Sequence, residues 1–382
     1  MPFLQVIFFA CAGLLVYHYI VYPAITIWLS RVTPRHSRIG TPPDRLPSVT
    51  LLIAAYNEED VLERKLLNSL DLDYPADLLQ VMVVADGSTD ATPAIARRFA
   101  GRGVVVLHRP GRAGKTAALN RGVAQAAGEI VVFSDANNMF DRQALRTLVR
   151  HFADETVGGV CGVKQIREAK DRDSTVGDGL YWRYESALKL AESRLGSITT
   201  ADGEIFAIRR SLYSPLDERL VNDDTAITFD LLARGFRVLY EPQARSVEDA
   251  SIRIADDFNV KVRMVSGGFQ TIAMRWRFLL LPPRAFTLAF LSHKLLRWIA
   301  PELLVLVAIS SVMLAHEPFF LLMLSAQVAF YALAVAGWFA RRKASLPLFV
   351  YLPFYFSAMN LAAFMGLYRY LSGTTAWKKA AR

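Results

Sequence analysis

Apolar residues form long blocks at the two ends of this chain, while the middle mixes apolar, polar and charged positions. Residues 2–30 are nearly uncharged, and about 20 apolar residues suffice to cross a bilayer. A cleavable signal peptide would begin with basic residues and have a short apolar core, and this segment has neither. We therefore interpret residues 1–30 as an N-terminal transmembrane helix.

The C-terminal third contains three further apolar segments, each long enough to span a bilayer: residues 298–315, 319–340 and 346–370. They predict about three transmembrane helices within residues 298–371, followed by a tail of residues 372–382. Residues 258–297 alternate basic and apolar positions, which is typical of helices lying in the headgroup region, so residues 251–297 are predicted to form interfacial amphipathic helices. The whole pattern predicts a globular domain, residues 46–250, held on a membrane.

Basic residues predict how the chain is oriented. Those that follow the first and third spans are Arg31, Arg35, Arg38, Arg45, Arg341, Arg342 and Lys343. The positive-inside rule then predicts a multi-pass protein of a bacterial-type inner membrane, with its globular domain in the cytoplasm. Four spans would leave Lys378, Lys379 and Arg382 outside. Either that tail is tolerated there or one C-terminal segment is not a full span.

The charge balance agrees with a membrane location. Among 382 residues, 44 are Lys or Arg and 35 are Asp or Glu, so the net charge of +9 suits contact with anionic membrane lipids. The arginines lie beside apolar segments rather than in one dense patch, which argues against a nucleic-acid partner. The two cysteines, Cys11 and Cys161, lie in different regions and support neither a disulfide nor a zinc site.

Within residues 46–250, wholly apolar strands alternate with amphipathic helices, a pattern that predicts an α/β fold with a parallel sheet buried on both faces. In such sheets, ligands bind beyond the carboxyl ends of the strands. Three predicted strand ends carry polar clusters: Tyr56-Asn57-Glu58, Asp86-Gly87-Ser88 and Asp135-Ala136-Asn137. Each cluster alone is explained by helix capping. Their convergence at one edge favours a binding site.

The chemistry of these clusters suits a nucleotide-sugar. Asp86 would accept hydrogen bonds from a base or ribose, and Asp135 with Asn137 offers the oxygen ligands that a hard divalent cation prefers. Such a cation would bridge a diphosphate and neutralise charge on the leaving group. Lys115 would lie near the same diphosphate. The alternative for Lys115 is a solvated residue in the first turn of a helix.

Lys115 also stands in a Gly-Lys-Thr sequence like that of a phosphate-binding P-loop. That signature requires a glycine five positions before the one preceding the lysine, and Arg109 occupies this position. The loop therefore cannot form the backbone cradle of a nucleoside triphosphatase. A triphosphatase is the least favoured interpretation.

In order and spacing, seven motifs of the chain resemble the family-2 glycosyltransferases, which have the GT-A fold. These motifs are AAYNEE, VADGSTDAT, GKTAALNRG, FSDANN, ADGEIFAIRR, VNDDTAITFDLLARGFRVLYEP and KVRMVSGGFQ. The set is most similar to the membrane-bound branch that makes exopolysaccharides, related to cellulose and hyaluronan synthases. The resemblance implies a Rossmann-like, mostly parallel sheet and a glycosyltransferase of the hexosyltransferase class.

The resemblance also implies roles for the strand-end residues. Ala55, Tyr56, Glu58 and Asp86 would line the nucleoside pocket. Asp135 matches the first aspartate of the family's D-x-D metal motif, and the amide of Asn137 replaces the last one. The implied cofactor is Mg²⁺ or Mn²⁺, with the second ligand altered.

Further roles follow from the motifs nearer the C-terminus. Asp224 matches the family's catalytic base, which takes a proton from the acceptor hydroxyl in an inverting transfer, and Asp223 would hold or tune it. The alternative is that both acids only cap the helix that follows. The remaining implied contacts are Asp202, Gly203 and Glu204 for the acceptor or donor sugar.

Arg263 matches the arginine of the Q-x-x-R-W motif of processive synthases and would contact the diphosphate. Val260 replaces the glutamine of that motif, and Met264 replaces the tryptophan that supports the acceptor sugar. These changes favour a single transfer over processive polymerisation, which stays as the alternative.

We therefore predict an inverting, metal-dependent glycosyltransferase that uses a nucleotide-sugar, with a UDP-sugar expected as donor. The acceptor would be a saccharide or lipid-linked glycan in exopolysaccharide or cell-surface synthesis. Other polysaccharide-export proteins are candidate partners. A hypothesis from another class is a catalytically silent, nucleotide-binding scaffold of an export complex.

Overall fold

A computed structural model describes residues 2–33, 45–167, 175–249, 254–280, 284–340 and 346–373. Its strands are β1 (Val49–Ala55), β2 (Leu79–Asp86), β3 (Val105–Arg109), β4 (Ile130–Asp135), β5 (Met139–Phe140), β6 (Val157–Arg167), β7 (Phe206–Arg209) and β8 (Arg237–Asp249). The α-helices of the globular part are α3 (Glu59–Leu70), α4 (Thr92–Arg98), α5 (Lys115–Gln125), α6 (Ala144–Val149), α7 (Thr175–Leu195) and α8 (Asp223–Ala233).

The remaining helices belong to the two apolar ends and to the segment between the globular part and the C-terminal spans. They are α1 (Pro2–Val16), α2 (Tyr22–Val32), α9 (Ile254–Met274), α10 (Arg284–Phe290), α11 (Leu296–Trp298), α12 (Ala300–Met313), α13 (Pro318–Ala340) and α14 (Leu348–Leu371). One π-helical turn, Tyr17–Val21, joins α1 to α2, and a second, Leu291–Leu295, joins α10 to α11.

The strands form one mixed sheet in the order β3-β2-β1-β4-β7-β6-β8-β5. Its first four strands run parallel, whereas β7 is antiparallel to both β4 and β6. Successive residues of β1 alternate between two apolar cores, with Leu51 and Ile53 in one and Leu52 in the other. Helices cover both faces of the sheet, which explains why the strands are uninterrupted apolar runs.

The register of the parallel strands brings their polar ends to one edge. Ala55, the last residue of β1, pairs with Ala85 of β2, and Ala54 pairs with Asp135 of β4. The three predicted clusters therefore follow strands that end level with one another. This edge holds the candidate site.

Three described helices or helix pairs are long and apolar enough to cross a membrane: Pro2–Val32, Pro318–Ala340 and Leu348–Leu371. A fourth crossing exists only if Phe286–Trp298 and Ala300–Met313 count together, and these are bent by 61°. The segment predicted as the first C-terminal span is thus a 14-residue helix joined to a bend. Residues 34–44, 341–345 and 374–382, with most of the basic residues used to predict orientation, lie outside the described residues.

Helix α9 lies between the start of α8 and the apolar helix α14. Small residues allow this close packing: a Cβ on Gly267 would come within 2.5 Å of Asn222, and one on Gly366 within 2.7 Å of Val265. Asn222 also donates from Nδ2 to the carbonyl of Met264 at 2.8 Å. Helix α9, one of the membrane-side helices (α1, α2 and α9–α14), therefore contacts directly the segment that carries Asp223 and Asp224.

Candidate active site

Hydrogen bonds across the sheet edge join the loops after β1 and β2. Asn57 has a left-handed backbone, with φ of 53°, and its Oδ1 accepts from Thr89 N–H at 2.8 Å. The N–H of Glu58 donates to Thr92 Oγ1 at 2.7 Å. These bonds fix the backbone directly after Tyr56, whose ring lies under the guanidinium of Arg112 at 3.8 Å. Ala55 is buried at the end of β1.

Asp86 is 3% exposed and is bonded to the loop before α5. Its Oδ2 accepts from the N–H groups of Ala113 and Gly114 at 2.8 and 2.7 Å, and its Oδ1 pairs with Arg121 at 3.3 Å. Asp86 therefore holds the loop that ends at Lys115. Its contact with a nucleoside stays a prediction.

Lys115, at the start of α5, lies between two acids of the site. Its Nζ is 2.8 Å from Asp135 Oδ1 and 4.0 Å from Asp223 Oδ2. Burial alone would lower the pKa of Lys115, but the two carboxylates outweigh it and raise the pKa above the ordinary lysine value. Lys115 is therefore a fixed positive charge. Its side chain stays 40% exposed toward the open edge.

The loop Asp135–Asn138 combines an accessible carboxylate with amides that lack protein partners. The Nδ2 of Asn137 and both amide atoms of Asn138 are buried without a hydrogen bond. Beneath the loop, the fully buried Lys65 donates to the carbonyl of Asn138 at 2.5 Å and lies 4.0 Å from the Phe140 ring centre. Burial lowers the pKa of Lys65 to about 7, against the attraction of Asp135.

These residues fit a divalent cation that is completed by substrate. Across the described residues, no three His, Cys, Asp or Glu side chains converge as a ready metal site. Mg²⁺ is commonly held by one or two carboxylates together with substrate phosphates, so Asp135 and the amide of Asn137 suffice as the protein share. The ion pair between Lys115 and Asp135 would have to open when the cation binds.

Asp223 and Asp224 begin α8, as the capping interpretation also requires. Asp224 Oδ2 accepts from Gly203 N–H at 3.1 Å, and its Oδ1 accepts from Thr225 N–H at 2.5 Å. Burial, followed by the adjacent Asp223, raises the pKa of Asp224 to about 7. Burial also raises the pKa of Asp223, although Lys115 opposes the shift. A carboxyl with a pKa near neutrality can exchange protons at physiological pH.

The turn before β7 brings Asp202, Gly203 and Glu204 beside this pair. Lys189 of α7 lies 2.7 Å from both carboxylate oxygens of Asp202. Lys164 of β6 lies 3.4 Å from Glu204 and 2.6 Å from Glu248. Burial raises the pKa of Glu204, and Lys164 opposes that shift.

Arg263 lies on α9 beside a pocket of about 180 Å³ at the end of α14. The residues lining this pocket are Val221, Arg263, Ser266, Gln270, Arg369, Tyr370 and Gly373. The positive charge of Arg263 favours the ionised form of Asp223, which places it within electrostatic reach of the acid pair. Met264, which replaces the tryptophan of the processive motif, is 44% exposed.

The structure thus brings Asp135, Lys115, Asp223, Asp224 and the turn at residues 202–204 to one edge. Lys189, Lys164 and Lys65 hold three parts of that edge, and sequence reasoning missed all three. Only Lys189 could have been noticed in the sequence, because charged residues at positions 185, 189 and 192 are spaced to lie on one helix face.

Comparison with known proteins gives matches over the same region. The sequence model for glycosyl transferase family 2 matches residues 50–216. The poly-beta-1,6-N-acetyl-D-glucosamine synthase of Staphylococcus aureus (strain MSSA476) is 27% identical over 237 residues, covering 60% of this chain and 56% of the synthase. The probable glycosyltransferase YdaM of Bacillus subtilis (strain 168) is 30% identical over 220 residues, covering 52% of this chain and 50% of YdaM. The chain spans about half the length of the curated relatives it matches.

A solved structure matches almost the full chain. The mannosyltransferase PcManGT from Pyrobaculum calidifontis, in complex with GDP-Man and Mn²⁺, has a TM-score of 0.75 at 25% identity, covering 97% of this chain and 99% of that chain. These similarities confirm the predicted family resemblance and the GT-A fold, with a mixed sheet and apolar helices at both ends. The family domain and the synthase homologues support a glycosyltransferase.

Proposed function

We propose that this chain, whose residues 50–216 match the sequence model for glycosyl transferase family 2, is an inverting glycosyltransferase that uses a nucleoside diphosphate sugar. The acceptor is a saccharide or lipid-linked glycan at the membrane surface. The observation that carries the proposal is Asp224, bonded to Gly203 N–H at 3.1 Å, with its pKa raised to about 7.

Asp224 acts as the general base in this proposal. The acceptor hydroxyl attacks the anomeric carbon of the donor sugar, the bond from that carbon to the diphosphate breaks, and the hydroxyl proton passes to Asp224. A base works best when its pKa lies near the working pH, because it is then ionised and still holds the proton well. The hydrogen bond from Gly203 keeps one oxygen of Asp224 in place.

Asp135 and Asn137 would hold the divalent cation, for which Mn²⁺ in the complex of PcManGT gives a precedent. When bound, the cation supplies positive charge to the departing diphosphate. Lys115 exchanges its contact with Asp135 for the diphosphate and adds a second positive charge there. Arg263 approaches the same diphosphate from α9.

Membrane association follows from the apolar helices at both ends of the chain. We propose a multi-pass arrangement in a bacterial-type inner membrane with the globular domain in the cytoplasm, where nucleotide-sugars are made. The contact of α9 with α14 and with Asn222 supports this placement, because it brings the acid pair close to the membrane-side helices.

The test is nucleotide release from a panel that includes UDP-N-acetylglucosamine and GDP-mannose, with Mg²⁺ or Mn²⁺ present. We expect one donor to turn over in the wild-type protein and Asp224→Asn to lower acceptor-dependent turnover by roughly 10²-fold or more. Asp217→Asn, which changes an acid paired with the exposed Arg219, is the matched control and should keep full turnover. Unchanged turnover in Asp224→Asn would remove Asp224 as the base.

Two other outcomes have their own readouts. Tight nucleotide binding without turnover on any donor would favour the silent scaffold. Products that lengthen with incubation time would favour processive polymerisation, whereas the exposed Met264 in place of a sugar-supporting tryptophan favours a single added sugar.

A further inference from the structure

One face of α7 carries three charged residues that are almost completely buried. Glu185, Lys189 and Glu192 are 4%, 3% and 3% exposed, and their spacing of four and three residues places them in one row. Burying a charge is costly unless it is paired and hydrogen-bonded. The partners of these three residues therefore show what the row does.

The two acids pair with the membrane-side helices. Glu185 contacts Lys294 at 2.5 Å and Arg297 at 2.7 Å, and His293 bridges it to Glu192 through contacts of 3.3 and 2.8 Å. Tyr22 of α2 also donates to Glu192 at 2.8 Å. These bonds fasten α7 to the N-terminal helix and to the π-helical turn before α11.

The lysine between them points to the candidate active site instead. Its ammonium lies 2.7 Å from each oxygen of Asp202, which makes a two-point contact that fixes the carboxylate plane. Asp202 N–H donates to Cys161 Sγ at 3.1 Å, and the next residue, Gly203, donates its N–H to Asp224 Oδ2 at 3.1 Å. Lys189 thus acts on the turn that touches the proposed base.

We propose that Lys189 is a positioning residue of the transfer reaction: it holds Asp202, and through Gly203 the carboxylate of Asp224, from a helix that Glu185 and Glu192 fasten to the membrane-side helices. This inference rests on the proposed role of Asp224 as general base. Lys189 itself touches neither donor nor acceptor in this scheme.

The charge of Lys189 should affect the pKa of Asp224, which a residue that only packs would leave unchanged. The negative charge of Asp202 raises the pKa of Asp224, after the larger contributions of burial and Asp223. Lys189 offsets Asp202, and the carboxylate in turn keeps the pKa of Lys189 well above its usual value despite burial. The other groups facing Asp224 are Asp223 from α8 and Lys115 from α5. Those facing Asp202 are Cys161 from β6, Glu204 from the same turn and Tyr240 from β8.

The experiment compares kcat/KM against pH for the full chain in detergent, using the donor that turns over in the wild-type protein. In Lys189→Met the charge of Asp202 is no longer offset, so the acid limb should move up by about one pH unit, with a loss in kcat. Lys189→Arg should restore most of both. Asp202→Asn leaves the charge of Lys189 uncompensated and should move the limb down, whereas Lys189→Met combined with Asp202→Asn removes both charges and should return the limb toward the wild-type position.

Arg194→Gln is the matched control, because Arg194 is an exposed cation on another face of the same helix. It should leave the profile unchanged. If Lys189→Met keeps the wild-type acid limb while nucleotide binding shows that it is folded, Lys189 only packs and the proposal is rejected. If Lys189→Met does not fold, the Lys189→Arg and Asp202→Asn profiles decide instead. Absence of donor turnover in the wild-type protein would count against the proposed function itself.

Discussion

Lys115 and Asp135 form an ion pair at 2.8 Å across the edge where a metal ion and a diphosphate would both bind. The pair neutralises Asp135 while no substrate is present. Metal binding must therefore compete with a tethered cation, and a diphosphate that attracts Lys115 would release Asp135. This predicts that donor and metal bind cooperatively.

Replacing Lys115 by Met should separate these two effects. Without nucleotide, the affinity for Mn²⁺ should increase several-fold, because Asp135 loses its competing cation. Turnover should fall by roughly 10²–10³-fold, because the diphosphate loses a positive charge. Mn²⁺ titration by electron paramagnetic resonance and steady-state kinetics measure the two quantities. Arg102→Gln, which removes an exposed cation elsewhere, should change neither, and a weaker Mn²⁺ affinity in Lys115→Met would contradict the competition.

The pH dependence of the transfer should follow Asp224. Its pKa is raised to about 7, and a base must be ionised to act, so kcat/KM should rise with pH up to about 7. Asp223→Asn removes the neighbouring negative charge and should move this rise to lower pH. A profile that is identical in Asp223→Asn and the wild-type protein would show that the two acids are not coupled.

Asp224→Asn should make the protein inactive and more resistant to heat at pH 8. Because the folded pKa of Asp224 is raised above its unfolded value, stability falls as pH rises from the ordinary Asp range to about 7. The amide removes that cost. Thermal unfolding at pH 8 should therefore show a higher midpoint for the variant, with a smaller difference at pH 5. Asp217→Asn should show no such gain, because the Arg219 contact lowers the pKa of Asp217 to about 2.

Gly87→Ala should damage the edge of the sheet that we propose binds the nucleotide. Gly87 has φ of 68°, and a Cβ there would lie 2.5 Å from Arg112 and 2.6 Å from its backbone. The variant must strain or displace the loop that Arg112 and Asp86 fix, at a cost of roughly 1–3 kcal/mol. Nucleotide binding measured by calorimetry should weaken. Gly111→Ala in the same loop, with no atom within 4 Å of its Cβ, should bind normally.

Glu185→Gln should destabilise the junction between α7 and the membrane-side helices. The carboxylate pairs with Lys294 and Arg297, and its loss leaves both cations without that partner in a buried place. Removing one member of a buried ion pair costs about 3–5 kcal/mol. The unfolding midpoint in detergent should fall by several degrees. Glu218→Gln, an exposed acid, should leave it unchanged, and an equal midpoint for both variants would show that the network carries no stability.

Much of the fold follows from local pattern. Wholly apolar strands separated by helices predict a sheet covered on both faces. The polar clusters come at the ends of these apolar runs in the sequence, which predicts that they lie at strand ends. The structure differs from the straight span predicted at residues 298–315, because Ala300–Met313 is short and follows a bend of 61°. Apolar composition indicates that a segment is kept from water, but it does not indicate where the helix axis bends.

In the candidate site, too, some features follow from the sequence and others are visible only in the three-dimensional structure. The sequence alone is enough to select Asp135, Lys115 and Asp224 as candidates, because residue type, motif and place after a strand or at a helix start all point to them. The pairing of Lys115 with Asp135 and the contact of Lys189 with Asp202 are visible only in the folded chain. These contacts join residues distant along the chain, and their strength depends on burial, which no local pattern of residues contains.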